Sequence, residues 1–304
     1  MSTNQKAIEM FERNEYEKAM ELFHQAVNES RDVQSLNNLA WMYLYEEEDY
    51  AKSLELILEA VDMKPNHYFP YNILGETYIK LERWKEAKEA LEKAISFQAA
   101  KETYENLAGV NIQLGELEEA AAHYLKAAGD SDLPMYCHIK CLIDLGRRAE
   151  AKEKLDQFNE DADNFIGEIE IAELYGELGE FEKAIEWFEK GYGGYAKTRD
   201  WIGTFVYALY KTNNLVRIQE VIDEAIQSTN EDIENTLQEE VDEHWTEDDQ
   251  KEYIEKCKED KKYYEQLLEK IAAGFVPPIK FEPYFTGTCY LFGCKQHGHP
   301  EYQE

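Results

Sequence analysis

Four side chains that bind soft metals fall within eleven residues near the end of the chain: Cys289-x4-Cys294-x2-His297-x-His299. Two thiolates and two imidazoles are a sufficient set for tetrahedral zinc. Gly293 and Gly298 stand between these residues, where the chain would have to turn tightly. A bound zinc would also let a short segment without helical pattern fold at all. Two features argue the other way. His-x-His is an unusual spacing for a structural zinc, and compact Cys/His knots draw their ligands from two separated pairs. Cysteines buried in aromatic packing, and a frayed His-containing end, remain the alternatives. No nearby acid is placed to act as a base, so a catalytic zinc is not expected.

Elsewhere the sequence offers little for catalysis. It has no Gly-rich phosphate loop, no Gly-x-Ser-x-Gly elbow and no His-Glu-x-x-His helix. Cys137 and Cys141 lie one helical turn apart and are expected to pack, while His24, His67, His123 and His244 are isolated. We therefore expect no enzyme. The chain carries 32 Lys and Arg against 64 Asp and Glu, a net charge of −32. Such a field repels nucleic acid and anionic membranes and favours a basic protein or peptide as partner. The competing reading is that acidity only keeps the protein in solution. The N-terminus lacks the basic start and apolar run of a secretory signal, and no apolar stretch reaches 18 residues. Five scattered cysteines do not resemble a secreted disulfide framework. These features lead us to expect a cytoplasmic location.

The elements that must position any site repeat along the chain. Leu74-Gly75-x-x-Tyr78-x-x-Leu81-x-x-Trp84-x-x-Ala87-x-x-x-Leu91-x-x-Ala94 aligns without a gap on Ile171-Ala172-x-x-Tyr175-x-x-Leu178-Gly179-x-Phe181-x-x-Ala184-x-x-x-Phe188-x-x-Gly191. The anchor position steps through Ala19, Ser53, Ala87, Ala120, Ala151, Ala184 and Ile218 at intervals near 34 residues. Apolar residues at i, i+4 and i+7 mark one helical face, small residues permit close approach, and glycines at 115, 146 and 179 suit a helix–turn–helix. A period near 34 with this small/large/small pattern resembles the tetratricopeptide repeat family over about residues 4–228. The resemblance implies an all-α, right-handed superhelical solenoid of about seven helix hairpins, working as a protein-binding scaffold.

It further implies that the first helix of each hairpin lines a concave groove. Carried onto this sequence, the groove positions are Asn37, Trp41 and Tyr45; Asn72, Glu76 and Lys80; Glu105 and Gln113; Tyr136, Lys140 and Asp144; Glu173 and Glu177; and Tyr207 and Lys211. This surface is acidic and aromatic, suited to a ligand bearing Lys or Arg. The Lys-then-Asn pairs with which some members clamp a C-terminal carboxylate are absent, with Asn72/Glu76, Glu105/Gly109 and Ile169/Glu173 standing there instead.

Three regions are expected: a repeat solenoid over 1–228, an acidic capping helix pair over 229–273, and an irregular tail over 274–304. The second capping helix should begin at the box Thr246-Glu247-Asp248-Asp249. The tail is rich in aromatics and glycine, and such a segment is expected to fold against the solenoid, along its groove.

Overall fold

A computed structural model describes residues 2–129, 131–242 and 244–303. Among these, the chain forms fifteen helices and no strand: α1 (Thr3–Glu12), α2 (Tyr16–Glu29), α3 (Val33–Tyr45), α4 (Tyr50–Asp62), α5 (Tyr68–Lys80), α6 (Trp84–Phe97), α7 (Lys101–Gln113), α8 (Leu117–Ala128), α9 (Asp132–Asp144), α10 (Arg148–Leu155), α11 (Glu168–Glu177), α12 (Phe181–Gly191), α13 (Arg199–Lys211), α14 (Leu215–Gln238) and α15 (Glu247–Ala272). Helices pair in sequence as hairpins, α1 with α2, α3 with α4, α5 with α6, α7 with α8, α11 with α12 and α13 with α14, as the 34-residue period predicts. The all-α repeat fold follows directly from the pattern of apolar and small residues.

The small positions act as expected. Ala19, Ala87, Ala120, Ala151 and Ala184 have no exposed surface. A Cβ on Gly75 would lie 2.7 Å from Leu91 Cδ2, inside its own hairpin. The tight turn within a hairpin takes a left-handed residue. Glycine serves at 115, 146 and 179, with φ of +77°, +75° and +73°, and Asn14, Glu48, Glu82 and Asn213 serve without it.

Two compact units are present. The first comprises residues 1–141 together with 283–304, and the second residues 142–282. This departs from the expected division in two ways. The boundary expected after residue 228 falls inside α14, which runs unbroken from Leu215 to Gln238. Gln227-Ser228-Thr229-Asn230 contains no Gly or Pro, and Thr229 Oγ1 donates to the Ala225 carbonyl at 2.8 Å without breaking the helix. What reads as a first capping helix is therefore the end of α14, and α15 alone closes the second unit. It starts at the predicted capping box, Thr246 accepting from the Asp249 N–H. The tail also divides: 275–282 belongs to the second unit and 283–304 to the first.

Candidate functional site

In the first unit the groove is filled by the chain's own C-terminal segment. Residues 287–290 run down α3 against its direction. Gly287 lies against Tyr45, where a Cβ would fall 2.6 Å from the ring. One helical turn earlier, Trp41 Nε1 donates to the Thr288 carbonyl at 2.9 Å. One turn earlier again, Asn37 Nδ2 donates to the Tyr290 carbonyl at 2.8 Å. An extended strand rises about 6.6 Å per two residues and a helix about 5.4 Å per turn, so the two ladders stay roughly in step.

Two asparagines each hold both backbone groups of one residue. Asn38 donates to the Phe292 carbonyl at 3.0 Å and accepts from its N–H at 2.9 Å. Asn106, on α7, does the same for Thr286 at 2.9 and 2.7 Å. Glu105 accepts from Thr286 Oγ1 at 2.8 Å. Side chains of the segment then fill apolar space. Tyr290, Leu291 and Phe292 are buried in the core that α1–α7 build. Phe69 meets Tyr290, Phe292 and His299 at ring separations of 5.3, 5.0 and 4.7 Å. Phe285 stacks on Trp84 at 5.9 Å and Tyr284 on Tyr124 at 6.2 Å. At the end of the segment, Glu301 accepts from Gln5 at 2.8 Å, and Gln34 accepts from the Tyr302 N–H at 2.9 Å.

Beneath the segment lies a buried carboxyl. Glu76 accepts from Tyr45 OH and, at 3.0 Å, from Asn106 Nδ2. Burial pushes its pKa up to about 8, against the opposing hydrogen bonds.

Among the predicted groove residues, Asn37, Trp41, Tyr45 and Glu105 touch the segment directly. Glu76 supports it from below, and Asn72 is buried with Oδ1 accepting from Thr103 at 3.0 Å, away from it. Lys80 and Gln113 are exposed, and Tyr136 and Lys140 are buried in α9. The missed contacts are Asn38 and Asn106. Each stands directly before a Leu-Ala pair, Asn38-Leu39-Ala40 and Asn106-Leu107-Ala108, and that recurrence was the available signal.

The four soft ligands close the segment. The ligand atoms of Cys289, Cys294 and His297 all lie within 4.8 Å of one another. Cys294 Sγ is 3.3 Å from His297 Nδ1, and Cys289 Sγ is 3.9 Å from His299 Nδ1. Burial pushes the Cys289 thiol up to about 12.

The second unit holds an open cleft of about 270 Å³ between α11, α12, α13 and residues 276–279. Phe181, Phe188, Tyr207, Val276, Pro277 and Ile279 give it apolar walls. Glu173 and Glu177 face it from α11. Burial pushes Glu173 up to about 7, helped by the charges of Glu170, Glu177 and Asp200, while Thr204 Oγ1 donates to it at 3.4 Å. The predicted residues Glu173 and Tyr207 thus meet in this cleft.

The hairpins and their register define a class. A tetratricopeptide repeat profile matches residues 169–193, and the profile of the ChAPs family, Chs5p-Arf1p-binding proteins, matches residues 7–117. No curated protein matches the sequence. A tetratricopeptide repeat protein from Parabacteroides merdae superimposes with a TM-score of 0.53 at 16% identity, over 78% of this chain and 97% of the other. PilF of Pseudomonas aeruginosa gives 0.49 at 16% identity over 66% and 89%, and YrrB, a tetratricopeptide protein with an unusual peptide-binding site, 0.47 at 21% over 56% and 91%. The chain has the tetratricopeptide repeat fold. No helix among the described residues is long and apolar enough to cross a membrane.

Proposed function

We propose that this chain is a cytoplasmic protein-binding scaffold that takes a basic segment of its partner in the cleft of the second unit. The carrying observation is the convergence of carboxylates on an apolar cleft: Glu173 and Glu177 at its surface, with Glu170 and Asp200 close enough to raise Glu173. A Lys or Arg side chain suits this place. Its aliphatic stem would lie along Phe188, Tyr207 and Pro277 while its head relieves the carboxylate repulsion. The net charge of −32 would steer such a partner, as expected of an inhibitor of a basic protein.

The test is binding of labelled Lys/Arg-containing peptides with apolar neighbours, read by fluorescence anisotropy at low and high salt. Binding should weaken with salt, vanish for charge-reversed peptides, and fall about tenfold in Glu173→Gln, the loss of about 1.4 kcal/mol. Binding indifferent to salt and to Glu173→Gln disposes of the reading.

A second reading is favoured by the way residues 283–304 are held. Asn37, Asn38, Trp41 and Asn106 all bind main chain, which any extended segment offers. In this reading the segment occupies the groove until a partner displaces it. Removing residues 275–304 should then raise affinity for that partner, and unchanged affinity rejects the idea.

A further inference from the structure

We propose that Cys289, Cys294, His297 and His299 form a structural zinc site that fastens the C-terminal segment into the groove of the first unit. With zinc–sulfur bonds of about 2.3 Å and zinc–nitrogen bonds of about 2.0 Å, ligand atoms of a tetrahedral site sit roughly 3.3–3.8 Å apart. The contacts already present, 3.3 Å for Cys294–His297 and 3.9 Å for Cys289–His299, lie in or just beyond that range. The three ligand atoms of Cys289, Cys294 and His297 lie within 4.8 Å of one another, so about an ångström of side-chain adjustment brings them onto one ion.

The backbone presents these groups as a closed loop. Gly293 N–H donates to the Pro300 carbonyl at 2.8 Å, and His299 N–H to the Cys294 carbonyl at 2.8 Å. Gly293 and Gly298 turn the chain at φ of +85° and +67°. Cys294, His297 and His299 lie on this loop, and Cys289 on the extended segment entering it. The spacing that argued against zinc in the sequence is thus explained. His-x-His brackets Gly298, whose left-handed turn sets His297 beside Cys294 and His299 beside Cys289, the two ring centroids 5.6 Å apart. Glu12 Oε1 lies 3.8 Å from Cys294 Sγ, and the Leu291 carbonyl 3.2 Å from His299 Nδ1. Both contacts use a proton that a zinc ligand lacks, so metal binding at these atoms would replace them. Two thiolates with two imidazoles select zinc over magnesium or calcium, which require oxygen donors.

The site closes directly beside Tyr290-Leu291-Phe292, the most deeply buried part of the segment. A metal here would tie the loop that follows those three residues to the extended segment that precedes them.

The test uses the full chain prepared under reducing conditions. Elemental analysis should find one zinc per chain. After chelation, cobalt(II) should restore one equivalent with the thiolate charge-transfer and intense d–d bands of a tetrahedral site. Chelation should also lower the melting temperature and speed amide exchange over residues 289–299. His297→Gln is the informative variant, because His297 is exposed and its loss should leave the fold standing. It should lose the tetrahedral cobalt spectrum, as should His299→Gln. Free thiols at both Cys289 and Cys294 with no metal taken up on titration would overturn the site, leaving plain thiol–imidazole hydrogen bonds. A Cys289–Cys294 disulfide in the protein as isolated from the cell would overturn it equally, and an unchanged spectrum in His299→Gln would remove His299 from the set.

Discussion

Asn106 holds Thr286 by both its backbone groups, donating to the carbonyl at 2.9 Å and accepting from the N–H at 2.7 Å. An extended strand inserted into a helical groove has no neighbouring strand to satisfy its backbone, and a buried peptide group without a partner costs about 1–3 kcal/mol. Asparagine carries a donor and an acceptor side by side, so one side chain replaces one rung of a sheet.

Removing this clamp should cost stability and free the segment locally. Asn106→Ala is expected to lower unfolding free energy by about 2–3 kcal/mol, since the Thr286 groups and one Glu76 oxygen all lose a partner. Asn38→Ala should cost a similar amount, and the double variant should be close to additive, because the two share no partner. Denaturant titration gives the energies. Amide exchange supplies the location, with Thr286 accelerating in Asn106→Ala and Phe292 in Asn38→Ala. Asn72→Ala, which touches Thr103 and not the segment, should leave both amides protected.

The difference between these asparagines marks the limit of the sequence. The hairpins were legible because Leu74, Gly75, Ala87 and Leu91 must recur wherever two helices approach closely. That the aromatic tail lies along the groove was legible from its composition. Asn37, Trp41 and Glu105 were reachable through the repeat register, since they project from the first helix of a hairpin. Asn38 and Asn106 were missed because each lies one residue along, at a position occupied in the third hairpin by Ile73. Only the path of residues 286–292 makes that position a polar contact. The capping pair failed for a local reason: the apolar spacing of Ile233, Leu237 and Val241 reads as a new helix, yet nothing between 227 and 231 stops α14.

Glu76 predicts a pH dependence with a definite sign. Its carboxyl has an ordinary value of 4.5 and is pushed up to about 8 by burial. In the unfolded chain it releases its proton near the lower value, and in the folded chain near the higher. Between the two, the folded state binds more protons, so stability should fall as pH rises from about 4.5 to about 8. The contribution is on the order of a few kcal/mol across that window. Glu76→Gln keeps the neutral shape, and it should flatten this slope and raise the melting temperature at pH 8 relative to the parent. A variant with the same slope as the parent would assign the effect to another group.

Two glycines inside helices separate packing from propensity. In α11 a Cβ on Gly176 meets nothing within 4 Å. Gly176→Ala should therefore stabilise by about 0.5–1 kcal/mol through helix propensity alone. In α7 a Cβ on Gly109 would lie 2.7 Å from Phe285 Cε1. The ring has little room to retreat, because its face stacks on Trp84 at 5.9 Å with the planes 15° apart. Gly109→Ala should thus destabilise by about 1–3 kcal/mol, its propensity gain outweighed by overpacking. The cause can be isolated by a double-mutant cycle. In a Phe285→Ala background the obstructing ring is gone, and the same glycine substitution should become neutral or stabilising. If Gly109→Ala costs as much without the ring as with it, residue 109 is sensing something other than the C-terminal segment, and the placement of Phe285 against α7 is wrong.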